Sequence, residues 1–141
     1  MSALYVAQAT ATGGRDGHVE THDGSLKFDL TIPKELGGAG KPGATNPEQL
    51  FACGYAACFA SALGFVARMK KLAVKHIEVT AKVGIGPKPG GGFLLDADLQ
   101  VRLPELARAE AEKLVQEAHQ VCPYSNATRN NIEVRLSVVD S

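Results

Sequence analysis

The sequence predicts an α+β fold in a single domain over residues 1–141, in the order β-β-β-α-β-β-α-β, with antiparallel sheets around two helices. Three observations lead there. The chain has 141 residues, of which 45% are hydrophobic, enough for one core and too many for a disordered chain. Several stretches alternate apolar and polar residues, the period-two pattern of strands with one wet face. Two further segments, each with a proline at a helix-start position, carry apolar residues at helical spacing or no charge at all.

Residues 3–9 and 18–32 read as strands. Leu26, Phe28, Leu30 and Ile32 alternate with Lys27, Asp29 and Thr31, and Asp23-Gly24 is a tight turn between His22 and Ser25. Residues 34–45 form a Gly-rich loop. Asn46-Pro47-Glu48-Gln49 then marks a helix start: Asn46 caps, Pro47 suits the first helical position, and Gln49 completes a capping-box spacing. This helix is expected to run to about Lys71. Its segment 50–67 is 18 residues without a charge, the lower edge of a transmembrane span. Ala, Gly, Ser and Cys dominate it and contribute little to insertion, and no positive-inside signature accompanies it, so no membrane is expected. It reads instead as a central helix buried on most of its circumference. A domain this small struggles to bury a helix all round, so a partner subunit is expected to cover one side.

Ile77, Val79, Ala81, Val83 and Ile85 alternate with polar residues, as do Phe93, Leu95, Ala97, Leu99, Val101 and Leu103, with GPKPGGG as the loop between them. Pro104 is expected to open the second helix. Ala107, Ala111, Leu114, Val115, Ala118 and Cys122 form its apolar stripe, with Glu105, Arg108, Glu112 and Lys113 largely off it. Pro123 must stop this helix. Ile132, Val134, Leu136 and Val138 make the last strand.

Composition excludes several functions. Fifteen Lys and Arg balance fifteen Asp and Glu, which argues against nucleic acid as a partner. Gly84-Ile85-Gly86 is followed by a strand rather than a helix, and Gly40-Lys41 by Pro42 rather than Ser or Thr, so neither Gly-rich loop cradles a phosphate. Three cysteines, an odd number, do not suggest a secreted disulfide scaffold. The opening MSALYVAQATATGG has neither the basic nor the apolar part of a signal peptide, and a cytoplasmic location is the expectation.

His119 and Cys122 have the spacing to chelate from one helical turn, with Cys58 as a third ligand. However, no Cys-x-x-Cys and no helical His-x-x-x-His is present, so no metal is expected. Cys53 and Cys58 point about 140° apart on a helix, and His18 and His22 share a strand face. Taken by residue type alone, Cys53 is a small hydrophobe, Arg15 a surface cation and Glu48 a helix-start carboxylate favoured by the dipole. Cys58 lies mid-helix, where burial raises a thiol pKa and makes it inert. A reactive Cys58 would need an imported cation. Cys122 lies in a turn before Pro123, where a sulfur can move.

Four segments change this balance. ATATGGRDG (9–17), IPKELGGAG (32–40), TNPEQLFACGYAACF (45–59) and HQVCPYSNATRNN (119–131) resemble, in order and over nearly the whole chain, the organic hydroperoxide resistance proteins, Ohr, of the Ohr/OsmC superfamily. The CPYSNATR form looks like the Ohr branch. Cys53 stands where Ala is common in that family, and Asn130 where Gly is common. The resemblance implies the Ohr/OsmC fold and a thiol peroxidase that reduces organic, including fatty-acid, hydroperoxides. It implies dihydrolipoyl groups, carried by a lipoylated protein or dihydrolipoamide, as reductant, and no bound cofactor. It makes Cys58 the peroxidatic and Cys122 the resolving cysteine, with Arg15 held by Glu48 supplying the missing cation.

Glu48 and Cys58 stand ten residues apart on one helix, about 15 Å along its axis and on different faces. A site containing both then requires either a break at Gly54 or a second chain, and the expectation is an intertwined homodimer. A non-catalytic binder of apolar ligands, and a metal-thiolate protein using His119, Cys58 and Cys122, are the competing classes.

Overall fold

A computed structural model describes residues Met1–Asp140, which separate into two compact units, one Met1–Leu50 and one from Phe51 onward.

In the first unit, β1 (Ala9–Thr12), β2 (His18–Thr21) and β3 (Lys27–Asp29) form an antiparallel sheet in that order. The expected strand over 3–9 falls later: the alternating residues of β1 begin at Ala9, opposite Thr21, and Leu4, Tyr5 and Val6 are exposed. The tight turn stands as expected. Gly24 adopts φ 77°, and Asp23 Oδ1 accepts hydrogen bonds from Thr21 Oγ1 and from the N–H and Oγ of Ser25, which holds the Asp23 carboxyl down at about 2. Between β1 and β2, one 3₁₀ turn (Gly14–Asp16) presents Arg15. Gly17 closes that turn so tightly that a Cβ there would lie 1.7 Å from the Thr12 carbonyl oxygen.

Helix α1 runs without interruption over Pro47–Met69, with no break at Gly54 and an end just short of the expected Lys71. Asn46 Oδ1 accepts from the Gln49 N–H at 2.8 Å, as a cap should. The capping box is only half made, because Gln49 Oε1 instead accepts from Thr45 Oγ1. At the other end Leu72 N–H bonds Ala67 O and Lys71 N–H bonds Arg68 O, with Lys71 in the left-handed conformation (φ 58°) that usually falls to glycine.

In the second unit, β4 (Glu78–Pro87) and β5 (Phe93–Arg102) form an antiparallel hairpin, and β6 (Val134–Val138) adds to β5 in parallel. The expectation of antiparallel strands throughout is therefore corrected at β6. The chain reaches it from β5 through helices, the crossover a parallel pair requires. Helix α2 (Arg108–Val121) starts four residues after Pro104. Pro104 instead leads into a turn closed by Leu106 N–H on Leu103 O, and Glu105 turns away from the helix to accept the N–H groups of Lys75 and His76. Pro123 stops α2 and at once serves as first residue of a short helix α3 (Pro123–Thr128), where the sequence predicts only a turn.

The core packs Tyr55, Phe59, Leu63 and Val66 of α1 with Ala97, Leu99 and Val101 of β5 and Leu114, Val115 and Ala118 of α2. One stripe of α1 stays outside it: Cys53, Ala57, Ser61 and Phe65, four residues apart each time, are exposed. This helix is long and apolar enough to cross a membrane, with mean hydropathy 1.8 in its most apolar window, yet its opposite face is core.

Candidate active site

The sequence-derived site residues form two pairs, one in each unit. In the first, Arg15 grips Glu48 with a two-point ion pair: Nη1 donates to Oε2 at 2.8 Å and Nη2 to Oε1 at 2.6 Å. Glu48 sits in the first turn of α1, largely covered, and Arg15 is partly open. The hydrogen bond from Arg15 lowers the Glu48 carboxyl below the usual carboxylate range, against the effect of burial, and the same bond raises the Arg15 guanidinium. A planar guanidinium held at two points keeps its remaining N–H edge in a fixed direction, which suits it to orient an anion.

In the second unit, Cys58 projects from the middle of α1 and Cys122 from the joint between α2 and α3. Cys122 is fully buried with extended backbone (φ −65°, ψ 122°), and its N–H closes α2 on Ala118 O at 2.9 Å. Its thiol donates to Cys58 Sγ across 3.6 Å. A disulfide needs about 2.05 Å, so the sulfurs must approach by about 1.5 Å. Burial raises the Cys58 pKa, and the Cys122 thiol acts in the same direction, while the N–H of Tyr124 favours the thiolate. Within this unit, no cation acts on the Cys58 sulfur among the described residues.

Aromatic rings flank the thiol pair. Tyr124 lies 6.0 Å from Phe51 and 5.7 Å from Tyr55, ring centre to ring centre. Gly54 leaves room for that ring, since a Cβ there would lie 2.8 Å from Tyr124 Oη. Phe65 points elsewhere and is exposed.

The remaining candidates fall into other settings. Cys53 is exposed on α1. His18 bridges Asp29 and Glu20, and His22 bonds Thr10 Oγ1. His119 has a buried Nδ1 without a hydrogen-bond partner, and burial lowers its pKa, helped by nearby Arg129. His119, Cys58 and Cys122 do not form a metal-ligating group among the described residues.

A family model described as OsmC-like protein matches residues 38–137. The chain belongs to the Ohr/OsmC family. Among its Ohr/OsmC relatives, an organic hydroperoxide resistance protein of Xanthomonas axonopodis pv. citri is 52% identical over 136 residues, 96% of this chain and 94% of the relative. The organic hydroperoxide resistance protein OhrB of Bacillus subtilis is 44% identical over 139 residues, 96% of this chain and 98% of the relative. The crystal structure of an organic hydroperoxide resistance protein from Elizabethkingia anophelis superimposes with a TM-score of 0.94 at 52% identity, covering all of both chains. A putative one from Vibrio cholerae, solved with captopril bound in one of the active sites, gives 0.92 at 54% identity, covering 98% of this chain and 94% of that one.

For this Ohr/OsmC chain, the sequence reading missed one feature of the thiol neighbourhood. Tyr55 Oη lies 2.8 Å from Ser125 Oγ and 3.0 Å from Thr128 Oγ1, all three buried. The signal was present as Tyr55 three residues before Cys58 and Ser125 three after Cys122, but nothing in sequence says that the two helices meet.

Proposed function

We propose that the protein is a thiol peroxidase that reduces organic hydroperoxides to alcohols and is recycled by a dihydrolipoyl dithiol in the cytoplasm. The observation that carries this is the Cys58–Cys122 sulfur pair at 3.6 Å, in a chain whose relatives are called organic hydroperoxide resistance proteins. The Cys58 thiolate attacks the terminal peroxide oxygen. The O–O bond breaks, the alkoxide leaves and is protonated to the alcohol, and Cys58 becomes a sulfenic acid. Cys122 then attacks the Cys58 sulfur, giving the disulfide and water. An external dithiol reduces the disulfide by exchange, restoring both thiols.

Arg15, oriented by Glu48, supplies the cation that holds the thiolate and meets the charge growing on the peroxide oxygens. Because α1 is unbroken, Glu48 and Cys58 of one chain stay about 15 Å apart along it. The pair is therefore assigned to a second copy of the chain, in a homodimer. The open Cys53–Phe65 stripe of α1 and the exposed Leu4, Tyr5 and Val6 support that assembly. The Arg15–Glu48 pair is made within one chain, which supports delivery of both by the same copy.

The test is consumption of cumene hydroperoxide with dihydrolipoamide. Turnover is expected in the wild type and none in Cys58→Ser. Cys122→Ser should reduce one equivalent and then carry sulfenic or sulfinic acid on Cys58. Tight retention of an apolar ligand without peroxide consumption would replace this reading with that of a binding protein.

A further inference from the structure

The Tyr55 ring of hydroxyls lies one turn away from the thiol pair, on the same two helices. Tyr55 and Cys58 share a face of α1, three residues apart. On the facing strand of chain, Cys122, Ser125 and Thr128 follow each other at the same spacing. Cys58 thus opposes Cys122, and Tyr55 opposes Ser125 and Thr128.

The hydrogens in this ring can be assigned. Thr128 Oγ1 donates to the Ser125 carbonyl oxygen at 3.3 Å, so the hydrogen between Tyr55 and Thr128 comes from Tyr55. The hydrogen between Ser125 and Tyr55 then comes from Ser125. The result is a closed circuit, Ser125 O–H to Tyr55 Oη, Tyr55 O–H to Thr128 Oγ1, and Thr128 O–H back to the backbone of Ser125. Each hydroxyl hydrogen is used, away from water. The backbone of Cys122 joins both helices: its N–H bonds Ala118 O of α2, and its carbonyl accepts the Asn126 N–H of α3 at 2.9 Å, so the position of α3 sets where Cys122 stands.

We infer that Tyr55 is a positioning residue for the resolving step: its hydroxyl pins α3 to α1 and so holds Cys122 Sγ at the distance from which it closes on Cys58. The inference rests on the peroxidase reading above and adds to it the element that presets the second sulfur. The ring makes no bond with either sulfur, so it can stay intact while the sulfurs draw together. Tyr55→Phe removes the tether and leaves the Ser125 hydroxyl without its acceptor and Thr128 Oγ1 without its donor.

The experiment measures the effective concentration of the Cys58–Cys122 pair by equilibration in glutathione redox buffers, without peroxide. It then measures the share of Cys58 sulfinic acid after a fixed dose of cumene hydroperoxide. Tyr55→Phe should lower the effective concentration about tenfold, the scale of one or two lost buried hydrogen bonds, and raise the sulfinic share. The triple variant Tyr55→Phe, Ser125→Ala, Thr128→Val carries no stranded polar group. It should regain thermal stability but not the effective concentration, which separates pinning from mere stability and remains testable if the single variant folds poorly. A Tyr55→Phe protein with wild-type effective concentration, or a triple variant that regains it together with stability, overturns the inference alone. A wild type that forms no Cys58–Cys122 disulfide overturns the peroxidase reading and the inference with it.

Discussion

At the scale of single residues, Glu48 makes the clearest statement about pH. Its folded pKa lies below the unfolded value of about 4.3, so the unfolded chain takes up the proton first. The pair with Arg15 therefore stabilises the fold fully above that value and is lost as the pH falls through the lower folded pKa. Urea unfolding followed across the acid range should show stability falling with pH in the wild type and a flatter dependence in Glu48→Gln. Equal slopes would mean that the pair contributes nothing to folding. Two positive-φ positions lacking glycine offer a second test. Lys71 (φ 58°) has a backbone that disfavours its side chain, and Lys71→Gly should raise the unfolding free energy by about 1 kcal/mol, read as a higher denaturant midpoint. Asn130→Gly should gain less, because Asn tolerates φ 61°. The raised pKa of Cys58 was legible in sequence, since a mid-helix thiol among apolar residues is partly buried and has no local source of charge. The hydroxyl ring was not, because Tyr55 and Ser125 meet across 70 residues of chain.

At the scale of elements, periodicity located strands and helices well where one face is buried. It failed where a local signal was overruled from a distance. Pro104 followed by apolar spacing has the form of a helix start, but the Glu105 carboxylate is drawn to the N–H groups of Lys75 and His76, ahead of β4, and α2 begins only at Arg108. Those two N–H groups should exchange with solvent faster in Glu105→Gln than in the wild type, with α2 itself little changed. Unaltered exchange would show that water serves them equally well. The direction of β6 was hidden for a different reason: alternation fixes which face of a strand is buried and says nothing of which way its neighbour runs. Helix α3 was hidden by Pro123, which ends one helix and starts another, two roles with the same residue type.

At the scale of the whole molecule, the open stripe on α1 sets the expectation that the working form contains two chains. Mixing Cys58→Ser with Glu48→Ala subunits tests how they share the work. In a two-chain site, the mixed dimer has one site with both lesions and one with neither, so about half of the wild-type peroxide turnover should return per mixed dimer. Verified subunit exchange without recovery would show each site to be built within one chain. The lack of charge along the helix raised the expectation of a covering partner, and the structure leaves one stripe of it exposed. That lack of charge could not name the stripe, since Cys53, Ala57, Ser61 and Phe65 become a line only once the core face is known.

The parallel seating of β6 also orders events during synthesis. Domains of nascent chains settle from the N-terminal side as they leave the ribosome. The β4–β5 hairpin and α1 emerge early, but β5 keeps one bare edge until residues Val134–Val138 arrive. Through that interval α2 has β5 to pack on but lacks β6, and Cys58 waits, already translated, for a partner sulfur 64 positions later. A chain stalled before Val134 is thus predicted to show Cys58 modifiable by alkylating reagents at the rate of an ordinary open thiol. Protection should set in abruptly once the final strand is released.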